Sequence, residues 1–315
     1  MFRVLVTGAS GFIGQRVVRR LVADGHHVVA VSRSPVAQLP PGALSAVIPE
    51  ISGETSWSHL LAGTNLVIHC AAHISSSGNR ALRSEEHFQR VNVDGTKVLA
   101  AQAAEAGVRR FIFLSSIKVH GESTEANTHF HEMSPVAPVD SYGRSKAAAE
   151  SAILAVSSST AMESVILRPP VVYGEGVRGN FALLLRLIQL GLPIPLGAVE
   201  GNRRSFIGAH NLVDCIRYCA DHPDAAQQVF VVSDGQDLST VALIRLLATA
   251  MGRQACLVNV SPAILRTVAA VTGRSALALR LLDSLCVDSS RIRAVTGWCP
   301  PMSVGEGFRR MAVLK

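Results

Sequence analysis

Two side chains four residues apart, Tyr142 and Lys146, begin a segment with helical periodicity. At that spacing both lie on one face of a helix, where the ammonium would favour the phenolate and lower the pKa of the tyrosine. A phenol that titrates near the working pH can act as a general acid or base. The strand-like run that ends at Leu114, Ser115 and Ser116 precedes this pair. The pattern therefore predicts proton transfer to or from a substrate oxygen, in preference to a surface Tyr and Lys at a helix start.

A glycine-rich turn indicates where a cofactor would bind. Gly8, Gly11 and Gly14 stand between a strand-like run and a helical pattern, in the spacing GxxGxxG. In such a turn the first glycine permits a tight bend, the second lets the backbone approach a pyrophosphate, and the third allows close helix–strand packing. Unpaired N–H groups at the helix start attract anions, which favours dinucleotide binding over an ordinary glycine turn. The residues predicted to bind the cofactor here are Gly8, Ser10, Gly11, Phe12, Ile13 and Gly14.

The end of the second strand-like run, Ser32 followed by Arg33, bears on the choice of nicotinamide cofactor. A carboxylate at this place would hydrogen-bond the hydroxyls of the adenosine ribose, and the sequence has none there. A serine hydroxyl and a guanidinium instead suit a 2′-phosphate. The predicted cofactor is therefore NADP, with NAD as the alternative if Arg33 is only a solvated side chain.

Strand-like runs and helical patterns alternate through the first half of the chain. This alternation is typical of an α/β fold with a doubly wound parallel sheet, the Rossmann arrangement. One of the helical patterns runs from about 144 to 157 and so begins close to Tyr142. The apolar strand-like runs are 4–6, 27–31, 66–68, 111–114 and 165–167.

The pattern loosens after residue 170. Residues 174–204 are rich in Gly and Pro, a strand-like run reappears at 229–232, and helical patterns follow at 239–251 and 262–282. We predict a dinucleotide-binding Rossmann domain and a smaller mixed α/β C-terminal cap that binds the substrate. The Rossmann domain would comprise 1–170 with 205–235 returning to it, and the cap 171–204 and 236–315.

The composition limits the classes of partner. The chain has 315 residues, 48% of them hydrophobic and 17% charged, which permits a large buried core. Arginine carries nearly all of the positive charge behind the net charge of +7, because the lysines are only Lys97, Lys118, Lys146 and Lys315. Guanidinium groups suit phosphate oxygens, so an anionic partner is favoured. Nucleic acid is not predicted, since the basic residues are dispersed.

Other sequence features argue against a metal site and a membrane span. The six cysteines show neither CxxC spacing nor metal-ligand spacing to histidine, so no metal site is predicted. No apolar run approaches the ~18 residues that a membrane span needs. No basic-then-apolar leader precedes the first strand-like run, which predicts a cytoplasmic location.

Further motifs follow one another along nearly the whole chain. They are 69–72 (HCAA), 92–96 (NVDGT), 115–121 (SSIKVHG), 168–174 (RPPVVYG), 204–207 (RSFI) and 297–300 (GWCP). With the glycine turn and the Tyr142–Lys146 pair, this ordered set resembles the extended short-chain dehydrogenase/reductase family, in its nucleotide-sugar epimerase and reductase branch. It is similar to bacterial UDP-sugar 4-ketoreductases of O-antigen and other lipopolysaccharide biosynthesis and to UDP-glucose 4-epimerases. The resemblance implies a UDP-sugar substrate and a homodimer.

The resemblance also implies roles for single residues. Ser116 matches the Ser/Thr that hydrogen-bonds the reacting sugar oxygen, Tyr142 the proton donor and acceptor, and Lys146 the residue that binds the nicotinamide ribose and tunes the tyrosine. The further residues implied in cofactor binding are Cys70, Ala71, Ala72, Asn92, Ser115, Pro169 and Val171. The implied substrate contacts are His73, Lys118, Asn180 and Arg204, of which Arg204 would hold the nucleotide diphosphate.

Departures from the family pattern bear on the reaction. Ile117 and Lys118 stand where sugar 4,6-dehydratases have an Asp-Glu pair, so dehydration is disfavoured. Lys118 itself is either a salt-bridged loop residue or a substrate contact. The second diphosphate arginine of many 4-epimerases has no clean match, and Arg274 and Arg280 are near candidates only. Arg33 fits a dissociable NADPH, which a net reduction requires.

The predicted function is reduction of a UDP-4-keto-6-deoxy-N-acetylhexosamine at C4. The alternative among enzymes is a 4-epimerase of UDP-glucose or UDP-N-acetylglucosamine. Outside enzymes, two alternatives stay open: a non-catalytic NADP-binding regulator, and a protein that lies on a membrane surface through the arginine-containing pattern at 262–282.

Overall fold

The computed structural model describes residues 1–36, 38–74, 84–177 and 179–313. Within these residues a parallel sheet forms the centre of the molecule, and short strands and helices build a cap beside it. The strands are β1 (Arg3–Thr7), β2 (His27–Ser32), β3 (Ala43–Val47), β4 (Leu66–His69), β5 (Arg110–Leu114), β6 (Glu163–Arg168), β7 (Val171–Tyr173), β8 (Phe206–Gly208) and β9 (Gln228–Val231).

The helices connect these strands and complete the cap. They are α1 (Gly14–Ala23), α2 (Ser58–Leu61), α3 (Glu85–Phe88), α4 (Gly95–Glu105), α5 (Ser141–Ser159), α6 (Asn180–Gln189), α7 (Ala209–Asp221), α8 (Thr240–Ala250), α9 (Pro262–Val271), α10 (Ser275–Leu282), α11 (Ser290–Thr296) and α12 (Val304–Val313). A π-helical turn, Gln89–Asp94, joins α3 to α4, and short 3₁₀ turns lie at Ile117–Val119 and Pro223–Ala225.

The described residues form a seven-stranded sheet in the order β3-β2-β1-β4-β5-β6-β9, with every neighbouring pair parallel. The strand order reverses at β1, so the carboxyl ends of β1 and β4 meet at a topological switch point, where open α/β sheets bind ligands. The predicted fold class, a doubly wound parallel sheet of the Rossmann type, is confirmed.

The sheet is covered on both faces because its strands are apolar on both sides. Val4 and Val6 of β1 are fully buried in one cluster with α1 and α7. Leu5, between them, points to the opposite face and packs in a second cluster with α4 and α5. This burial on both faces is what a strand in a parallel sheet requires, and it fixes the strand ends that carry the site.

The cap has an apolar core of its own. Residues of α6, α8 and α12 pack there with Tyr173 and Phe206, which lie on the paired strands β7 and β8. Strand β9 lies within the segment predicted to return to the Rossmann domain and pairs with β6. The division into domains at 170, 204 and 235 stays a prediction.

Several elements differ from those expected. The edge strand β3 was not predicted: Ser45 interrupts its apolar residues, and all five of its residues are half-exposed or exposed. Helix α6 lies in the Gly- and Pro-rich stretch that predicted no helix. The pattern at 262–282 forms two helices, α9 and α10, because Gly273 between them has a φ of +66° that ends the first. None of the described helices is both long and apolar enough to span a bilayer.

Candidate functional site

The glycine turn after β1 lies in contact with the end of β4. Gly8 has a φ of +68°, and a Cβ there would lie 2.8 Å from the backbone nitrogen of Ala71. A Cβ at Gly14 would lie 2.1 Å from the carbonyl oxygen of Gly8. Both positions therefore require glycine, Gly8 for its conformation and both for lack of space. The turn brings its own backbone within reach of Cys70 and Ala71, which were predicted to share the cofactor site.

The start of α1 fits the diphosphate of a dinucleotide. The Gly11 N–H donates to Gly8 O at 2.8 Å, which closes the turn. Among the described residues, nothing accepts a hydrogen bond from the backbone N–H of Phe12 or Ile13. Ser10 and Gly11 are exposed, so the surface of the turn is open. Free N–H groups at the positive end of a helix form an anion-binding site, as the predicted cofactor needs.

The carboxyl end of β2 has no carboxylate. Ser32 is buried, and its hydroxyl donates to the carbonyl oxygen of Ser34 at 2.5 Å. Arg33 is exposed and forms no ion pair with any described residue. Among the described residues, this end of the strand therefore offers an exposed guanidinium and no carboxylate to accept from a ribose diol.

A clamp built by Asn92 holds the segment after β4. Its amide oxygen accepts from His73 N at 2.6 Å, and its amide nitrogen donates to His73 O at 3.0 Å and to Ser145 Oγ at 2.9 Å. The side chain thereby ties the segment that contains Ala71, Ala72 and His73 to α5. The rings of His73 and Tyr142 both lie against Phe88, with centroids at 5.0 and 6.5 Å.

Helix α5 begins three residues earlier than predicted, at Ser141, because Asp140 caps it. The Asp140 carboxylate accepts from Gly143 N at 2.7 Å, as an N-cap residue does. A Cβ at Gly143 would lie 2.6 Å from Lys118 O, so the absence of a side chain lets the turn after β5 rest on the first turn of α5. This contact brings Ser116 and Tyr142, which are far apart in sequence, to the same end of the sheet.

Lys146 is buried beneath Tyr142. Its Nζ donates to Leu114 O at 2.7 Å and lies 4.3 Å from the centre of the Phe113 ring. The centre of the Tyr142 ring is 5.9 Å from the same Nζ. Burial lowers the pKa of the Lys146 ammonium to about 8, against the charges of Cys70 and Glu150, which raise it. The pair shares one helix face, as its spacing predicted.

The expected effect of Lys146 on the tyrosine is wrong for this arrangement. Burial, followed by the negative charge of Asp140, raises the pKa of the Tyr142 phenol above its ordinary value. The hydrogen bond of the Lys146 ammonium goes to Leu114 O and not to the phenol. Tyr142 is therefore a neutral phenol at pH 7 and can donate a proton.

The two serines after β5 have different surroundings. Ser116 is half-buried, and its Oγ accepts from Lys118 N at 3.2 Å, which leaves its own proton free to donate. Ser115 is buried and donates to the Glu150 carboxylate. The hydroxyl of Ser115 thus supports α5 rather than facing the open end of the sheet, while its predicted contact with the cofactor stays a prediction.

A buried ionic network missed by the sequence analysis lies under these serines. Glu150 receives two hydrogen bonds from Arg168 Nε at 3.0 and 3.2 Å and one from Nη2 at 2.5 Å. Arg168 Nη1 donates to His120 Nε2 at 2.9 Å, and the His120 Nδ1–H donates to Pro135 O at 3.0 Å. The pKa of His120 is lowered, chiefly by burial, so its ring is neutral. The one available signal was Glu150 standing four residues after Lys146 on one helix face.

The turn that carries Ser116 also contacts the start of β7, and it contains Lys118. Ile117 N donates to Pro169 O at 2.9 Å, which joins Pro169 to the Ser116 turn, and Val171 is the partly exposed first residue of β7. Lys118 Nζ forms ion pairs with Asp140 at 2.5 Å and with Glu122. Lys118 is therefore a salt-bridged loop residue, the first of its two predicted roles. A substrate contact for it stays a prediction.

Arg204, the arginine predicted to hold a diphosphate, is buried. Arg204 Nη1 donates to Asp283 O at 2.9 Å. Burial lowers the pKa of Arg204, the charges of Asp283 and Cys286 raise it, and the nearby positive charge of Arg280 lowers it. Arg280, for which the sequence showed no clean family match, is thus close to Arg204. The side chain of Asn180 lies outside the described residues.

One group of metal-capable side chains occurs in the described part of the chain. The ligand atoms of His129, Asp237 and Cys286 all lie within 4.8 Å of one another. Their polar atoms already have partners: His129 Nε2 is 3.3 Å from Asp237, and Ser205 donates to the same carboxylate. Arg204 is near enough to Cys286 for their charges to interact. The hydrogen-bonded arrangement accounts for the cluster, and the prediction of no metal site stands untested.

The glycine turn after β1 and the group Ser116, Tyr142 and Lys146 lie at the same end of the parallel sheet, an arrangement typical of nicotinamide-dependent enzymes of the short-chain dehydrogenase type. A model of the NAD dependent epimerase/dehydratase family matches residues 4–233. The chain belongs to this family, which confirms the resemblance seen in the motifs. An enzyme is thereby supported over a non-catalytic regulator.

Two similar proteins of this family are named as 4-epimerases. The chain is 39% identical over 309 residues to a Vibrio cholerae protein named UDP-glucose 4-epimerase, with 98% of this chain and 94% of that one covered. It is 30% identical over 244 residues to an Escherichia coli O157:H7 protein named N-acetyl-alpha-D-glucosaminyl-diphospho-ditrans,octacis-undecaprenol 4-epimerase, covering 76% and 70%.

Solved structures share the architecture. The chain is similar to MoeE5 in complex with UDP-glucose and NAD, with a TM-score of 0.78, 26% identity, and 99% and 97% of the two chains covered. The UDP-N-acetylglucosamine 4-epimerase from Bacillus cereus matches with a TM-score of 0.80 at 20% identity, covering 100% and 99%, which supports the fold alone.

Proposed function

We propose that this protein transfers hydride between a nicotinamide cofactor and C4 of a UDP-linked hexose, with Tyr142 carrying the proton of the C4 oxygen. The observation that supports it most is the convergence of the Ser116 turn, Tyr142 and Lys146 opposite the glycine turn. The choice of a UDP-sugar as substrate is supported by the names of the Vibrio cholerae relative and of the MoeE5 complex, which both contain UDP-glucose.

The side chains divide the work in the reductive direction. When bound, the reduced nicotinamide supplies the hydride. The neutral phenol of Tyr142 donates its proton to the oxygen on which negative charge develops, and the free proton of Ser116 hydrogen-bonds the same oxygen. Lys146, whose ammonium Leu114 O holds in place, would bind the ribose of the nicotinamide.

Two arginines fit the diphosphate of the substrate. Arg204 is buried and held by the carbonyl of Asp283, and Arg280 is near enough to depress its pKa further. Guanidinium groups suit phosphate oxygens, which they can bind through two parallel hydrogen bonds. We propose that both hold the diphosphate, with Asn180 as a further ligand.

Within this chemistry we propose net reduction of a UDP-2-acetamido-2,6-dideoxy-4-keto sugar by NADPH, a step of O-antigen biosynthesis. Arg33 supports this because it is exposed and unpaired at the end of β2, where a 2′-phosphate would need a cation.

The test supplies the 4-keto sugar and either NADPH or NADH to the purified protein and follows absorbance at 340 nm. We expect consumption with NADPH, and a preference for NADPH over NADH that Arg33→Ala reduces at least about tenfold. Arg253→Ala, which removes an exposed arginine on the cap, is the matched control. No consumption with either cofactor contradicts the reductase.

The second candidate is a UDP-hexose 4-epimerase that keeps NAD bound throughout the cycle. The 39% identity to the Vibrio cholerae protein of that name favours it. An epimerase would interconvert UDP-glucose and UDP-galactose, or their N-acetyl forms, without added cofactor. Protein that carries tightly bound NAD after purification and performs this interconversion would decide for the epimerase.

A further inference from the structure

Helix α9 presents apolar side chains to solvent. Ile264, Val268 and Val271 are 57%, 56% and 83% exposed. Their spacing of four and three residues sets them on one face of the helix; we call it the α9 face. Leu265, on the other side, packs against the cap core. No residue of α9 is buried, so the helix lies on the surface of the cap and contacts it through few side chains.

The chain around the α9 face is positively charged. Residues 251–282 contain no Asp or Glu and contain Arg253, Arg266, Arg274 and Arg280. All four arginines are exposed. Arg266 pairs with Asp283 at 2.5 Å, whereas the other three form no ion pair with any described residue. An apolar stripe thus lies within a segment whose positive charge is mostly uncompensated.

Other exposed apolar residues lie on a segment hydrogen-bonded to the one that leads into α9. Ile194 N donates to Cys256 O at 2.8 Å, and Val258 N donates to Ile194 O at 2.9 Å. Leu190, Leu192 and Val258, which flank this pairing, are 59%, 44% and 43% exposed. Soluble proteins rarely expose such apolar groups together unless the surface binds something.

The charge decides between two occupants. A second copy of this chain that packed on the same face would bring its own unpaired arginines against those of the first, which costs energy. An anionic lipid surface accepts both components, because apolar side chains enter the acyl boundary while Arg253 and Arg274 contact the headgroups. We propose that the α9 face is a docking surface for an anionic phospholipid bilayer.

The docked orientation would put the cap next to the membrane. Pro262 and Arg266 of α9 line a cavity of 390 Å³ together with Asn202 and Asp283. The same helical pair carries Arg280, close to Arg204. A substrate held in this part of the molecule would be bound at the bilayer surface. The docking itself does not depend on the proposed reaction.

Flotation with lipid vesicles tests the docking. Purified full-length protein is mixed with vesicles of phosphatidylcholine alone or with 30–40% phosphatidylglycerol (roughly the anionic range that binds basic amphipathic helices), without substrate. We expect the protein to float with the anionic vesicles only, and high salt to reduce the bound fraction. Val268→Ser with Val271→Ser should lower the partition coefficient at least about tenfold, because two apolar side chains no longer insert.

The matched control is Leu44→Ser with Val47→Ser, which removes two exposed apolar residues of β3. It should float like the wild type, and circular dichroism should show all proteins folded. Absence of wild-type flotation, or equal flotation of the α9 variant, would overturn the docking. So would a concentration-dependent dimer that the α9 variant abolishes in protein that does not bind vesicles. Since no turnover is measured, failure here leaves the proposed reaction untouched, and the reverse also holds.

Discussion

The hydroxyl of Tyr142 is protonated and makes no hydrogen bond that would stabilise the fold of the described residues. Among the described residues, nothing hydrogen-bonds its phenol oxygen, while burial and Asp140 keep it neutral. Because this hydroxyl does not stabilise the fold, it is available to donate its proton to a substrate. Its removal should therefore separate catalysis from stability.

Tyr142→Phe should lower kcat by about 10²–10⁴-fold, because the proton donor is lost. The melting temperature should change little. Tyr218→Phe is the matched control: its hydroxyl donates to Thr296 O at 2.9 Å, so it should lose about 1 kcal/mol of stability and keep its activity. Steady-state kinetics and thermal denaturation of both variants check this. Tyr142→Phe with normal kcat would remove the proton-transfer role.

Lys146 makes stability depend on pH in a defined direction. Its pKa is lowered to about 8 in the folded protein, below the ordinary lysine value near 10.5, so the unfolded chain binds more protons between those values. The contribution of this residue to stability is therefore least favourable below pH 8 and increases as the pH rises toward 10.5.

Denaturant unfolding of wild type and Lys146→Met at pH 7 and pH 10 measures this contribution. The stability difference should move in favour of the wild type by roughly 1–3 kcal/mol at the higher pH. Lys97→Met, on the exposed side of α4, provides the control and should show no such change. A difference that is independent of pH, or that moves the other way, would contradict the lowered pKa.

At the scale of elements, the site depends on two contacts that hold α5. The close approach of Lys118 O to Gly143 aligns the helix start with the Ser116 turn. The Glu150–Arg168 pair anchors the middle of α5 to the end of β6. Both contacts join segments distant in sequence, so a change in either should reach the site through the position of the helix.

Gly143→Ala should lower stability by about 1–3 kcal/mol, because the new Cβ would clash with Lys118 O. It should also lower kcat, since the Ser116 turn must shift from Tyr142. Gly305→Ala in α12, where a Cβ meets nothing within 4 Å, should instead be neutral or stabilise by up to about 1 kcal/mol. Unfolding curves and kinetics of the two variants make the comparison. Equal stability of both would contradict the tight contact.

Glu150→Gln should destabilise the protein by about 3–5 kcal/mol, because it leaves the buried guanidinium of Arg168 without its counter-charge. Glu200→Gln breaks the exposed pair with Arg245 and should cost less than about 1 kcal/mol. Urea unfolding measures both changes. A small effect at Glu150 would mean that the network is solvated rather than buried.

At the scale of the whole molecule, the sequence predicted the parts that depend on local pattern. The apolar strands, the glycine turn and the Tyr142–Lys146 spacing follow from periodicity and short motifs, and the structure contains each of them. The motifs also predicted the family. Residues such as Gly8 and Gly14 were identifiable because their turn type allows few alternatives.

The remainder depends on long-range contacts that no local pattern encodes. The sign of the Tyr142 pKa shift was wrong because it depends on burial and on where the Lys146 hydrogen bond goes. Glu150 was missed because its partner Arg168 is on another element. The edge strand β3 and helix α6 were missed because tertiary packing outweighs their weak local signals. The homodimer stays a prediction.

The most direct measurement of the proposed chemistry follows the hydrogen itself. The protein is given a UDP-2-acetamido-2,6-dideoxy-4-keto sugar and NADPH that carries deuterium at the transferable position, and the product is examined by NMR. We expect deuterium bonded to C4 of the sugar, and Tyr142→Phe should slow its appearance by about 10²–10⁴-fold. Product without deuterium at C4, or no product with either nicotinamide cofactor, would contradict it.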